Sequence, residues 1–151
     1  MQHHYISYKQ SVIHYTAEGS GSKILLCLHG YGEDCSSFAI LNPLLQNNYT
    51  IIAIDFPFHG ETKWNEPGCL QPEVLIDSIQ QIIKQTGIDK NRKLTLLGYS
   101  MGGRAALHII NRMPQFVERA VLIAPDGLHK NFWYFLATQT YLGNRLFKFT
   151  M

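Results

Sequence analysis

The sequence predicts an α/β protein built on a doubly wound, mostly parallel sheet. Three observations carry this expectation. Short continuous apolar runs recur at residues 23–28, 49–54 and 94–97, the composition of strands buried on both faces. Stretches of helical periodicity separate them, most clearly Val74, Leu75, Ile79, Ile82 and Ile83. Each apolar run ends in a loop rich in glycine, histidine or proline. Strands that alternate with helices pair in parallel through right-handed crossovers. A chain of 151 residues is long enough for one domain with a real core.

The elements follow in order. Residues 5–9 and 11–17 read as two short strands forming an antiparallel hairpin, and Glu18-Gly19-Ser20-Gly21-Ser22 as a turn. The strand at 23–28 (Lys-Ile-Leu-Leu-Cys-Leu) leads into the loop His29-Gly30-Tyr31-Gly32. Ser36 or Ser37 can cap a helix running through Leu41 to Gln46, although Pro43 falls near its start. The strand at 49–54 ends in Asp55-Phe56-Pro57-Phe58-His59-Gly60, and a polar loop spans 61–71. Pro72 suits a first helical turn and Gly87 a helix C-terminus. After the strand at 94–97, a helix runs to about Arg112 and stops before Pro114. A last strand is expected at 120–124, followed by Pro125-Asp126-Gly127. Residues 131–151 are aromatic, with Phe132, Trp133, Tyr134, Phe135, Tyr141, Phe147 and Phe149.

Composition narrows the function. A net charge of +2 with no basic cluster points away from nucleic acid and anionic membranes. No apolar run approaches the roughly 20 residues of a membrane-spanning helix. Cys27, Cys35 and Cys69 are odd in number and lack metal-ligand spacing, so they read as buried or incidental thiols in a reducing compartment. The start has neither a basic nor an apolar signal region, so a cytoplasmic protein is the default expectation. Nucleotide-binding glycine loops are absent: there is no Gly-x-x-x-x-Gly-Lys-Ser/Thr, and no Gly-x-Gly-x-x-Gly after the first parallel strand. No cofactor or metal is expected.

The chemistry concentrates in Gly98-Tyr99-Ser100-Met101-Gly102, between an apolar strand pattern and a helix pattern. A serine flanked in this way marks a nucleophile elbow. The turn is so sharp that side chains two residues before and after the serine would clash, hence Gly98 and Gly102. The pentapeptide alone is a weak signal; its strand-to-helix setting strengthens it. Two further motifs, His29-Gly30-Tyr31-Gly32 and Asp55-Phe56-Pro57-Phe58-His59-Gly60, fall at the ends of other buried strands. Open α/β sheets bind ligands at such ends.

Together these three motifs resemble the α/β-hydrolase fold superfamily, over about residues 6–126. The resemblance implies that Ser100 is the nucleophile of a serine hydrolase. The backbone N–H groups of Met101 and Tyr31 would form the oxyanion hole. His29 and His59 would serve structurally in their His-Gly loops, and Asp55 would organise its own loop. His108 reads as a packing or surface residue of a helix, and His129 stays open as a base. Glu33-Asp34 would favour the following helix N-terminus. The implied substrate is a small ester, thioester or carbon–carbon bonded acyl compound.

A serine needs a base, and the base an orienting acid. In the family these follow in the order serine, acid, histidine, usually after the seventh and eighth strands. Six strands are counted in this chain. Asp126 ends the sixth, a position some members use for the acid. The expectation is therefore an N-terminal portion of a larger hydrolase, with residues 1–128 as core and 129–151 as the start of a cap insertion. An unpaired sixth strand and little esterase activity are expected of the isolated chain. The competing reading is a non-catalytic ligand-binding or decayed hydrolase fragment.

Overall fold

A computed structural model describes residues 2–67, 71–89 and 92–126. The aromatic stretch, the expected start of a cap, His129 and Cys69 lie outside the described residues. The strands are β1 (Gln2–Tyr8), β2 (Ser11–Glu18), β3 (Lys23–Leu28), β4 (Tyr49–Ile54), β5 (Leu94–Tyr99) and β6 (Val117–Ile123). The α-helices are α1 (Asn42–Leu45), α2 (Pro72–Gln85) and α3 (Met101–Arg112), and a 3-10 segment spans Cys35–Leu41. All six strands form one sheet in the order β1-β2-β4-β3-β5-β6. The β1–β2 and β2–β4 pairs are antiparallel; β4–β3, β3–β5 and β5–β6 are parallel. Among the described residues, no helix is long and apolar enough to cross a membrane.

The continuous apolar runs have a simple cause. Strand side chains alternate between faces, and here both faces are covered. Ile24, Leu26 and Leu28 of β3 pack with Ile52, Ile54, Leu94 and Leu96 in the cluster that contains Leu75, Ile79 and Ile82 of α2 and Ala106 and Ile109 of α3. Leu25 and Cys27, on the other parity, pack with Ile51, Ala53, Cys35 and Phe38. The two clusters are the two layers of a doubly wound sheet.

Several boundaries differ from the sequence reading. The expected Ser36 or Ser37 cap is instead Asp34: its backbone is extended, and its carboxylate accepts the Ser36 N–H at 2.7 Å. A short acidic side chain at this position satisfies an orphan amide of the turn. The expected helix through Gln46 divides into the 3-10 segment and the single turn of α1, with Pro43 near the start of α1. Proline has no N–H to continue the preceding ladder. The last strand runs 117–123 rather than 120–124. Ala124 leaves it at φ 44°, and the charged Glu118 and Arg119 are tolerated because both are exposed. β5 extends two residues beyond the expected 97, because Gly98 and Tyr99 still pair with Leu122 and Ile123.

Candidate active site

The junction between β5 and α3 is tightly built. Ser100 sits at φ 49°, ψ −112°, and its hydroxyl makes no cap hydrogen bond to α3. A non-glycine residue in this region carries about 1–3 kcal/mol of strain and persists only where its surroundings hold it. They do so through backbone. Ser100 N–H donates to the Ile123 carbonyl at 2.9 Å, and the Ser100 carbonyl accepts from Asp126 N–H at 3.0 Å and Arg104 N–H at 3.2 Å.

Both elbow glycines are required by close approach, against different neighbours. A Cβ on Gly98 would lie 2.6 Å from the Gly102 carbonyl oxygen, as the sequence reading anticipated. A Cβ on Gly102 would lie 1.9 Å from the Leu28 carbonyl oxygen, so that glycine lets α3 pack on the end of β3. Gly103 adds a third contact, against Pro125 beyond β6. Met101 is the first residue of α3, where amide N–H groups lack intrahelical partners.

The His-Gly loop is pinned beside this elbow. His29 is fully buried, and its Nε2 accepts the Phe56 N–H at 3.0 Å. The ring proton therefore resides on Nδ1, which donates to the Gly30 carbonyl at 2.7 Å. Burial lowers the pKa of His29 and keeps the ring neutral, outweighing the hydrogen bond to Gly30 that acts the other way. Both ring nitrogens are thus engaged in tying the loop after β3 to the loop after β4. Gly30 N–H donates to Glu33 Oε2 at 3.1 Å, and a Cβ on Gly30 would lie 2.8 Å from the Tyr99 ring. Tyr31, the next residue, is 68% exposed and meets His59 edge-on, with ring centroids 5.4 Å apart.

Asp55 organises its loop, as expected. Its carboxylate accepts Cys35 N–H at 2.7 Å and Glu61 N–H at 2.8 Å, and pairs with His14 Nδ1 at 2.6 Å. Burial alone would raise its pKa. The Cys35 thiol and amide, the Glu61 amide and His14 outweigh burial and hold it below the usual carboxylate range. Gly60, at φ +52°, closes over this carboxylate; a Cβ there would fall 1.8 Å from Oδ2.

The structure thus brings Gly98, Ser100, Met101 and Gly102 together with the loop carrying Tyr31. Asp126 reaches the elbow through its backbone N–H. His108 lies exposed on α3. His14 had no visible role in the sequence because its partner Asp55 lies 41 residues away, and Glu33, read as favouring the following helix N-terminus, instead accepts the Gly30 N–H through the shape of its loop. A cavity of about 760 Å³ lined by Lys84, Ile88, Arg92, Leu94 and Met113 lies at the opposite end of β5 from Ser100, so it does not serve the elbow.

Comparison with known proteins agrees with this fold. The chain is 30% identical over 109 residues to a serine hydrolase-like protein of Danio rerio, covering 72% of this chain and 32% of that one. It is 33% identical over 113 residues to human protein phosphatase methylesterase 1, covering 72% of this chain and 29% of that one. A hydrolase from Pseudomonas aeruginosa PA01 superimposes with a TM-score of 0.67 at 20% identity, covering 80% of this chain and 44% of that one. The chain thus spans about a third of the length of these two curated relatives. The sequence profile described as alpha/beta hydrolase fold matches residues 23–147, from β3 past the elbow and β6. With six strands in a mostly parallel sheet among the described residues and a strained serine at the β5–α3 turn, the chain belongs to the α/β-hydrolase fold family.

Proposed function

We propose that this protein is a serine hydrolase of small ester, thioester or carbon–carbon bonded acyl substrates, with Ser100 as nucleophile. The observation that carries this reading is the backbone of Ser100 at φ 49°, held at the strand-to-helix turn by Gly98 and Gly102. Strain of this kind persists where a side chain must be presented. Ser100 Oγ attacks the substrate carbonyl carbon and gives its proton to a general base. The carbonyl π electrons move onto oxygen. The N–H groups of Met101 and Tyr31 stabilise that oxyanion, aided by the N-terminus of α3. The C–O, C–S or C–C bond then breaks, and the leaving group takes up a proton. Water hydrolyses the acyl-serine and regenerates Ser100.

The base and its acid belong to the same proposal. His29 and His59 each spend Nδ1 on a backbone carbonyl of their own loops, which supports a structural role for both. The base is therefore sought outside the described residues, with Asp126 as one position for the acid. The relatives, of which the matched segment is only 29–32%, support a fuller chain as the active species.

The test is covalent labelling of the full-length protein with a fluorophosphonate probe, read by intact mass. Labelling at Ser100, absent in Ser100→Ala, supports an activated nucleophile. A folded full-length protein that takes up no label overturns the enzymatic reading and favours a non-catalytic binding role.

A further inference from the structure

A second constellation lies across the β1–β2 hairpin, away from the elbow. His3 and Tyr5 share one face of β1, and Tyr5 stands directly opposite His14 of β2 in the antiparallel register. His3 is two residues along β1 from Tyr5, on the diagonal to His14, within reach of long side chains. Glu61, from the loop after β4, closes the cluster. His3 Nδ1 lies 3.0 Å from His14 Nε2 and 3.3 Å from Glu61 Oε1. The three donor atoms all fall within 4.8 Å of one another.

We propose that His3, His14 and Glu61 form a binding site for a divalent transition metal ion of the zinc type. Three features of the geometry support it. First, ligands of a tetrahedral zinc ion at roughly 2.0–2.1 Å stand about 3.3 Å apart, close to the separations of both His3 pairs. Second, the ligands are oriented from behind. His14 Nδ1 is held by Asp55 Oδ2 at 2.6 Å, with both side chains nearly fully buried. This leaves the Nε2 lone pair of His14 facing His3. A carboxylate behind a histidine ligand fixes its tautomer and increases its basicity. Glu61 is oriented in the same way: Tyr5 OH donates to Oε2 at 2.5 Å, leaving Oε1 toward His3. Third, His3 and Glu61 are each about half exposed, which gives an ion a path in and leaves a fourth position for water.

On binding, His3 carries its ring proton on Nε2 and offers Nδ1. His14 keeps its Nδ1 proton on Asp55. The two-nitrogen, one-oxygen donor set suits zinc and its neighbours rather than calcium or magnesium. The adjacent trio His14, Cys35 and Asp55 is a poorer site. Its thiol is buried and donates to the Ala53 carbonyl, and its carboxylate already accepts two backbone amides. An ion on His3, His14 and Glu61 would clamp β1 to the loop that Asp55 organises. It would act on structure and would not depend on Ser100.

The experiment is zinc titration of the metal-stripped full-length protein, read by calorimetry and native mass, with cobalt(II) as a visible-absorption probe. One ion per chain is expected at micromolar affinity or tighter, with a cobalt spectrum of low coordination number. His3→Ala and Glu61→Gln alter exposed side chains and should leave the fold intact, which a thermal melt verifies. Each should weaken binding at least about 10-fold, and Tyr5→Phe about 10-fold through the lost orienting bond. Ser100→Ala should bind as the parent does, so the result stands apart from the hydrolase reading. Absence of binding overturns the proposal. So does affinity that survives both ligand variants but falls in His4→Ala or His108→Ala, which would mean adventitious surface-histidine binding.

Discussion

In the proposed reading Tyr31 contributes through its backbone, while its ring is exposed. The Gly30 N–H is engaged by Glu33 Oε2, which directs attention to the next amide along the loop. On the hydrolase reading proposed above, replacing Tyr31 by proline removes that N–H from the oxyanion hole. On that reading, Tyr31→Pro in the full-length protein should lower kcat about 100- to 1000-fold with little change in KM, as expected for a donor used in the transition state. Steady-state kinetics with an activated ester would measure this, and Tyr31→Ala, which keeps the N–H and deletes the ring, should retain most activity. Equal losses in both variants would assign the effect to the ring instead. Ser100 and Gly98 were legible in the sequence because the sharp turn imposes steric limits within a few residues, whereas the constraint on Gly102 comes from the Leu28 carbonyl of β3. The His14–Asp55 and Gly30–Glu33 partnerships were not equally legible. The first joins residues 41 apart; the second, three apart, depends on a loop shape that local pattern does not specify.

At the scale of elements, α3 lies against the sheet because its first turn lacks bulk. Gly102 meets the Leu28 carbonyl and Gly103 meets Pro125. Ala106 and Ile109 continue the same buried face one and two turns on. Gly102→Ala places a Cβ against backbone, which cannot rotate away. It should destabilise the protein by about 3 kcal/mol, the upper end for overpacking, since the helix must shift from β3. Urea unfolding would register this as a lower midpoint; an unchanged midpoint would refute the close packing. Helices α2 and α3 and strands β3, β4 and β5 were foreseeable because period and burial agree along their lengths. The 3-10 segment and the limits of β6 were not. Asp34 competes with Ser36 and Ser37 for the same cap, and only the loop path decides which side chain reaches an orphan amide. β6 pairs with β5 alone among the described residues, and its Val121 and Ile123 are about half exposed. An edge strand tolerates polar residues, so its pattern is blurred.

Across the whole molecule, buried ionisable groups make stability depend on pH in a definite direction. His29 has a lowered pKa in the fold, whereas an unfolded histidine takes up a proton near 6.5. Below about pH 6.5 the unfolded chain therefore binds more protons than the folded one, and stability falls as pH drops. Asp55 adds to this at lower pH. Its carboxyl is held low in the fold, so its contribution is complete above the unfolded value near 3.9 and is lost as pH falls through the folded one. Denaturation midpoints should therefore decline from pH 7 to pH 5, and more steeply below pH 4. In His29→Asn the upper part of that decline should flatten. A midpoint that rises from pH 7 to pH 5 would contradict the buried neutral ring.

The sequence by itself determined the class of the fold, the order of its central elements and the position of the elbow. These depend on local periodicity, continuous apolar runs and steric limits over a few residues, all of which are written along the chain. Only the tertiary structure decided the strand order and the cap at Asp34. It also decided the hydrogen bonds that reserve His29 and Asp55 for their loops, and the meeting of His3, His14 and Glu61. The cap depends on the path of its loop, and the others on which distant segments the sheet brings side by side; sequence spacing carries no record of either.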